Sequence, residues 1–447
     1  MHADFLLNIF RENSDSVALV WQGESYSYQW LLDRCDFWTA LLLEEAVLPG
    51  AVVALEADFS PDAAAAMIAL IQAECVAVPM TVMPESQREE LRNIAQCGFL
   101  LRIEGAGNYE FHTLQEKAQH PYYETLRKTG HPGLVLFSSG SSGKSKAAVH
   151  DFSRLLQKFQ TRRHNLRTMA FLLFDHIGGI DTLFYSLSNG SCLITIEDRS
   201  PDSVCELIAK HRVEVLPVSP TFLNMLLLRQ SYLRYDLSSL KYITYGAEVM
   251  PAITLQRCAE LFPGVTMLQK YGTTEVGTLR SKSRSSDSLW MKIGGEGYQT
   301  RIVDGILQIK AESAMLGYLN APSPFTEDGW FNTQDAVETD GDYVKILGRE
   351  SDIINVGGDK VYPAEVEAAI SLMDDIVEAT VFSESNPIIG NIVCARVSAV
   401  EGTDEKTLPR RIKKHCRELL EPHKIPLRIK IVQEDQHVTS RFKKNRN

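Results

Sequence analysis

What the chain lacks already narrows its role. It has no CxxC pair and no His-rich spacing, and its eight cysteines stand singly along 447 residues. That pattern argues against a zinc site and a disulfide framework, and it suits a reducing compartment. No run approaches the ~18 apolar residues that a membrane-spanning helix needs. The opening segment MHADFLLNIFRENSD has no basic n-region, long apolar stretch or small-residue cleavage site, so a cytoplasmic protein is expected. Positive charge is not in excess: 46 Lys and Arg face 57 Asp and Glu, and a net charge of −11 disfavours nucleic-acid binding over the whole surface. There is no internal repeat and no low-complexity tract. With 44% hydrophobic and 23% charged residues, a disordered or fibrous chain is excluded.

At about 150 residues per domain, the length allows two or three domains. Through the first three-quarters, apolar strand-like runs (134–137, 213–218, 242–245 and 265–268) alternate with helical ones. Ser60-Pro61 and Ser200-Pro201 read as helix starts, Ser capping and Pro in the first turn, and Pro251 starts another helix. Alternation of this kind predicts an α/β fold, with a large N-terminal domain of parallel-rich sheets covered by helices. Ligands of such sheets sit in the loops beyond the strands' C-terminal ends.

The pattern changes after about residue 340. Strands are expected at 342–347, 352–356, 376–382, 392–397 and 427–432, with helices at 364–373 and 407–420. This predicts a small α+β C-terminal domain joined through GRESD (348–352). The division expected is 1–348 and 349–447.

One loop points to chemistry. SSGSSGKSK (138–146) follows the buried run 134–137. Small residues let backbone N–H groups approach a polyanion, hydroxyls add donors, and Lys144 and Lys146 add charge. The Walker A pattern G-x-x-x-x-G-K-[ST] is nearly met at Lys144, but Ser138 stands where its first Gly belongs. A P-loop NTPase is therefore the second reading, and a flexible Ser/Gly loop the bland one.

Four later segments make a resemblance specific. They are YGTTE (271–275), WFNTQD (330–335), the segment carrying Gly348-Arg349, Gly357-Gly358 and EVE (365–367), and TSRFKKNR (439–446). In this order, with the Ser/Gly loop, they resemble the motifs of the adenylate-forming superfamily of acyl- and aryl-CoA ligases, amino-acid adenylation domains and luciferase-like enzymes. The resemblance implies an acid–thiol ligase of the acyl-CoA synthetase or acyl-carrier-protein ligase type, with a mobile C-terminal domain. Such an enzyme turns a carboxylic acid and ATP into acyl-AMP and pyrophosphate, then passes the acyl group to CoA or to the phosphopantetheine of an acyl or peptidyl carrier protein.

The resemblance also implies roles. Ser138, Ser139, Gly140, Ser141, Ser142, Gly143 and Lys146 would hold the β- and γ-phosphates. Thr274 would touch the α-phosphate and Glu275 would ligate Mg²⁺. Gly246, Ala247 and Glu248 would border the adenine, near Tyr271, Gly272 and Thr273. Asp335 would accept from the ribose hydroxyls, helped by Arg349. Lys443, with Lys444 as its rival, would bridge the carboxylate and the α-phosphate. The chain departs from the pattern at Gln334, Ile306 and Phe442, where the family has Gly, Glu and Gly, and Ser351 takes the hinge position.

The acid pocket would open at LFDHIGG (173–179). His176 with Gly179 fits the F-H-x-x-G of acyl and aryl ligases, whereas Phe174-Asp175 mimics the F-D of amino-acid-activating domains. The first register is preferred, with His176 walling the carboxylate site and the paired glycines leaving room for a bulky acid. Val218, Ser219, Tyr245 and Ala247 are expected lining, which favours a neutral fatty or aromatic acid. From residue 406 onward thirteen Lys and Arg face four Asp and Glu, a charge that suits an acidic thiol partner. A stand-alone amino-acid adenylation enzyme and a non-catalytic adenylate-binding protein are the alternatives.

Overall fold

A computed structural model describes residues 2–105, 107–114, 118–139, 144–386 and 390–433. Two seven-stranded sheets form the larger part. In the first, Thr266–Gln269, Tyr242–Tyr245, Val215–Val218, Thr168–Ala170, Leu193–Thr195 and Val17–Trp21 run parallel in that spatial order, with Glu24–Ser27 antiparallel at the edge. The second has a parallel centre, Val52–Glu56, Val76–Met80 and Phe99–Gly105 with Gly133–Ser139, and antiparallel edges. The α/β expectation holds.

The two sheets share one core. Leu55, Leu134 and Leu136 of one and Leu19, Ala170 and Leu193 of the other meet helices Tyr28–Glu44, Pro61–Gln72 and Ile177–Ser188. The Pro61–Gln72 helix begins as the sequence indicates: Ser60 Oγ accepts from Ala63 N at 3.1 Å and Pro61 opens the first turn. Removing such a cap costs about 1 kcal/mol. Its run Ala63 to Ala66 is fully buried, so small side chains let the sheets close around it.

Residues from 280 to 349 depart from strand–helix alternation. They build a six-stranded antiparallel sheet that includes Met291–Gly294, Tyr298–Val303, Ile306–Ala311, Phe331–Asp340 and Tyr343–Arg349. The strand expected at 342–347 therefore pairs with Phe331–Asp340 in this sheet and does not open the C-terminal one. A five-stranded sheet follows, with helices Pro363–Ile370 and Leu408–Leu419 packed on it through Val366, Ile370, Leu408 and Ile412. The first of these helices ends at Ile370, three residues before the expected 373, and the Oγ of the following Ser371 turns back to Glu367 O at 2.8 Å. Asn224 Nδ2 ties the two parts together, donating to Glu378 Oε2 at 2.7 Å and Val377 O at 3.2 Å.

Candidate active site

Three adjacent parallel strands, Val215–Val218, Tyr242–Tyr245 and Thr266–Gln269, end along one rim. The loops leaving it bring Thr221, Ala247, Glu248, Tyr271 and Gly272 into one cleft with Asp335 and Arg349. Close approach of two of these loops explains Gly246, where a Cβ would stand 2.6 Å from Lys270 O. Ala247 follows in the left-handed region at φ 68°. Glu248 does not project freely into the cleft. Its Oε2 accepts from Thr221 Oγ1 at 2.7 Å and Thr221 N at 3.3 Å, in the first turn of helix Pro220–Arg229, where a helix favours negative charge.

Asp335 is a buried carboxylate of this cleft. Tyr271 Oη donates to its Oδ2 at 2.5 Å, and Arg349 Nε lies 2.8 Å from its Oδ1. Asp335 and Arg349 are directly opposed across paired strands, and Arg349 Nη1 also donates to Thr333 O at 3.0 Å. Burial pushes the Asp335 carboxyl above its usual range, while Arg349 and Tyr271 pull it down. Gln334, the departure from the family's Gly, sits at φ 60°, its N–H donating to Asn332 Oδ1 at 3.0 Å. A left-handed residue is needed to turn Asp335 inward, which accounts for Gly in the family pattern.

The described ends of the Ser/Gly segment belong to two paired strands of a hairpin. Gly133–Ser139 pairs antiparallel with Ser145–Asp151, Ser138 opposite Lys146. A Walker A loop leads from a strand into a helix. Here a strand follows, so the P-loop NTPase reading falls. Gly140, Ser141, Ser142, Gly143 and Lys443 lie outside the described residues, and of Ser139 only the backbone is described.

The hairpin's second strand carries Lys146 to Tyr318, with Nζ 5.5 Å from the ring centroid. Tyr318 Oη donates in turn to Glu275 Oε1 at 2.5 Å. Pairing of Gly317–Tyr318 with Val149 and Ala148 makes this possible. The other Glu275 oxygen has no hydrogen-bond partner among the described residues. Behind it lie Thr273, which is buried, Thr274, and the fully buried His150, whose ring is pushed down to about 4 by burial. The described residues hold no cluster of three metal-ligating side chains. One carboxylate with a spare oxygen, linked through Tyr318 to Lys146, nevertheless has donor chemistry that fits Mg²⁺, which binds through one or two carboxylates plus substrate phosphates.

His176 caps helix Ile177–Ser188, its Nδ1 accepting from Gly178 N at 3.2 Å. It is not among the residues lining the cleft. Asp175 is buried and its Oδ2 accepts from Thr81 Oγ1 at 3.0 Å, a structural use of the carboxylate that counts against the F-D register. The paired glycines do not provide the expected room. A Cβ on Gly179 would stand 1.9 Å from Leu173 O, so that glycine serves backbone packing.

The AMP-binding enzyme family matches residues 8–305, and the AMP-binding enzyme C-terminal domain matches residues 365–443. The chain belongs to the AMP-binding enzymes. Among curated relatives of this AMP-binding enzyme, the indoleacetate–CoA ligase of Aromatoleum aromaticum is 27% identical over 297 residues, 61% of this chain and 58% of the relative. The 2-succinylbenzoate–CoA ligase of Bacillus pumilus is 24% identical over 479 aligned positions, 96% of this chain and 94% of the relative. The chain thus spans less than two thirds of the first relative and nearly all of the second. The fold is that of the anthranilate CoA ligase AuaEII solved with anthranoyl-AMP, at a TM-score of 0.84, 20% identity and coverage of 100% and 95%.

Three residues of this AMP-binding enzyme escape the motifs. Tyr318 lies in an apolar run with no charge pattern, and its place beside Glu275 arises from strand pairing. His150 stands just after the Ser/Gly loop but is buried. Lys270, immediately before YGTTE, lines both the cleft and a second cavity. Among the described residues no helix is long and apolar enough to cross a membrane.

Proposed function

We propose that this AMP-binding enzyme joins a carboxylic acid to a thiol through acyl-AMP. The acid's carboxylate oxygen attacks the α-phosphorus of ATP, the bond to the β-phosphate bridging oxygen breaks, and pyrophosphate leaves. A thiol then attacks the acyl carbon and AMP departs. The observation that carries the reading is Asp335, buried at the sheet rim with Tyr271 and Arg349 fixing its two oxygens. Such a held acceptor can take hydroxyl hydrogens from a ribose, while the Gly246–Ala247 turn offers a wall for the base. The CoA ligases among the relatives support this reading, and the engaged Asp175 weighs against an amino-acid substrate.

Two anions must meet, so positioning and positive charge carry the rate. Lys146, Ser138 and the loop beyond would grip the outer phosphates. Thr274 would contact the α-phosphate, His176 would wall the carboxylate, and Thr273 and Gly272 would shape the floor. Mg²⁺, held by Glu275 and the phosphates, would neutralise charge on the leaving pyrophosphate. Lys443 would come from the second part of the chain, 349–447, swinging at Ser351 against 1–348. Loss of one such donor costs on the order of 10²–10³ in rate. CoA is the favoured acceptor, with carrier-protein phosphopantetheine the alternative, and the basic stretch from 406 onward would face its acidic groups. The eight cysteines, all free and buried, suit a cytoplasmic setting.

The test is acid-dependent exchange of labelled pyrophosphate into ATP across a panel of aryl, acyl and amino acids. Exchange with a non-amino acid, abolished in Asp335→Ala, is expected. ATP hydrolysis without any acid and no exchange with any member would overturn the reading.

A further inference from the structure

A second cavity, 430 Å³, opens between helix Ile177–Ser188 and the face of the first sheet. Its size falls within the common range for small-molecule sites, about 300–1,000 Å³. Leu166, Val215, Pro217 and Leu268 provide apolar wall for a carbon skeleton. The charges around it are unbalanced. Lys158, Arg163, Lys270 and Arg280 line it against a single carboxylate, Asp181. That carboxylate is already paired with Lys158, whose Nζ also donates to Thr278 O at 2.9 Å.

Lys270 is the cation left over on the inner side. It stands at the strand end between buried Gln269 and buried Tyr271. Its ammonium has no hydrogen bond or ion pair among the described residues. Burial, with Lys158 and Arg163 nearby, pulls the ammonium below its ordinary range against the opposite pull of Asp181, whose carboxylate is bonded to Lys158. Arg163 and Arg280 are exposed, so they guard the mouth and do not fill this need. None of Val218, Ser219, Tyr245 and Ala247, from which a neutral acid was expected, lines this cavity.

Resting on the adenylation reading above, we propose that this cavity selects an acid carrying a second anionic group, which Lys270 holds while the first carboxylate is activated. Lys270 suits the task because it also borders the cleft where Tyr271 holds Asp335. The second anion is thus read one residue away from the nucleotide site. The skeleton between the two anionic groups lies along the apolar wall.

Calorimetric binding and pyrophosphate exchange, run on the full chain, separate this inference from the reading beneath it. The probes are glutarate, adipate and homophthalate, each beside its monomethyl ester. At least one diacid is expected to bind saturably and more tightly than its half-ester. Lys270→Met should weaken the diacid about 10–100-fold more than the half-ester, the size expected for a lost hydrogen bond to a charged group. Lys270→Arg, which keeps the charge, should recover most of the preference and shows that the site still folds. Equal binding of diacid and half-ester, a preference untouched by Lys270→Met, or no saturable binding of any diacid overturns the inference. Exchange with half-esters and diacids alike leaves adenylation standing and removes this proposal. Diacid binding through Lys270 with no exchange from any acid does the reverse.

Discussion

Tyr271 Oη lies 2.5 Å from Asp335 Oδ2, and Arg349 Nε lies 2.8 Å from Oδ1 of the same carboxylate. The carboxylate is clamped from both sides before any nucleotide arrives. Each oxygen keeps a further lone pair for a hydroxyl, and the clamp sets the direction in which it points. Asp335→Asn keeps the shape but removes the charge, and one amide nitrogen would face a donor. The KM for ATP in pyrophosphate exchange should rise about 10–100-fold, with Tyr271→Phe giving a smaller rise of the same kind. An unchanged KM for ATP in the Asn variant would separate this carboxylate from the nucleotide.

Glu275 and Tyr318 pose a related question on the other side of the site. The phenol donates to Oε1, leaving the second oxygen directed by that hydrogen bond. Glu275→Gln should lower exchange on the order of 10²–10³-fold and raise the Mg²⁺ concentration needed for half-maximal rate. Tyr318→Phe leaves the charge but loosens its aim, so about a 10-fold loss is expected with a smaller Mg²⁺ shift. Titration of Mg²⁺ at saturating ATP distinguishes the two. Equal effects from both variants would show that the phenol, not the carboxylate charge, matters.

Gln334 offers a prediction on stability. At φ 60° an L side chain carries a left-handed backbone cost of ~1–2 kcal/mol, partly offset by the entropy that glycine would lose on folding. Gln334→Gly should therefore stabilise the protein by about 0.5–1 kcal/mol in chemical denaturation. Gly246→Ala should do the opposite, since its Cβ would meet the Lys270 carbonyl at 2.6 Å. A neutral or destabilising Gln334→Gly would mean that the side chain makes contacts worth more than the strain.

The parallel strands and the capped helices were legible because their signals are local. Ser-Pro starts at 60 and 200 and the apolar runs at 213–218 and 242–245 each fix their own element. The antiparallel sheet was not, since a strand such as Tyr298–Val303 is largely exposed and shows no apolar stripe. At the site, charged residues inside motifs were readable, Asp335 and Arg349 above all. Tyr318 was not, because its partner Glu275 lies 43 residues away and only pairing of Gly317–Tyr318 with the hairpin brings them together. The charge of the second cavity was hidden for the same reason: Lys158, Lys270 and Arg280 come from separate elements, none of them a basic run.

His150 ties the site to acid stability. The ring is fully buried, packed by the Thr274 and Ser313 backbone with Glu275 and Asp151 nearby. Burial lowers it from 6.5 to about 4, despite the pull of those two carboxylates. Above 6.5 the ring is neutral in both folded and unfolded chains and contributes no pH dependence. As pH falls below 6.5 the unfolded chain binds a proton that the native ring refuses, so stability declines until about pH 4, where the native ring also titrates. The loss over that window is on the order of 3 kcal/mol relative to neutral pH. Other groups titrate in the same range, so the measurement is the difference between wild type and His150→Leu in urea denaturation at a series of pH values. The wild type's margin over the variant should shrink as the solution is acidified from neutral toward pH 4. A margin that stays constant across the window would show that His150 takes its proton in the folded state as readily as in the unfolded one.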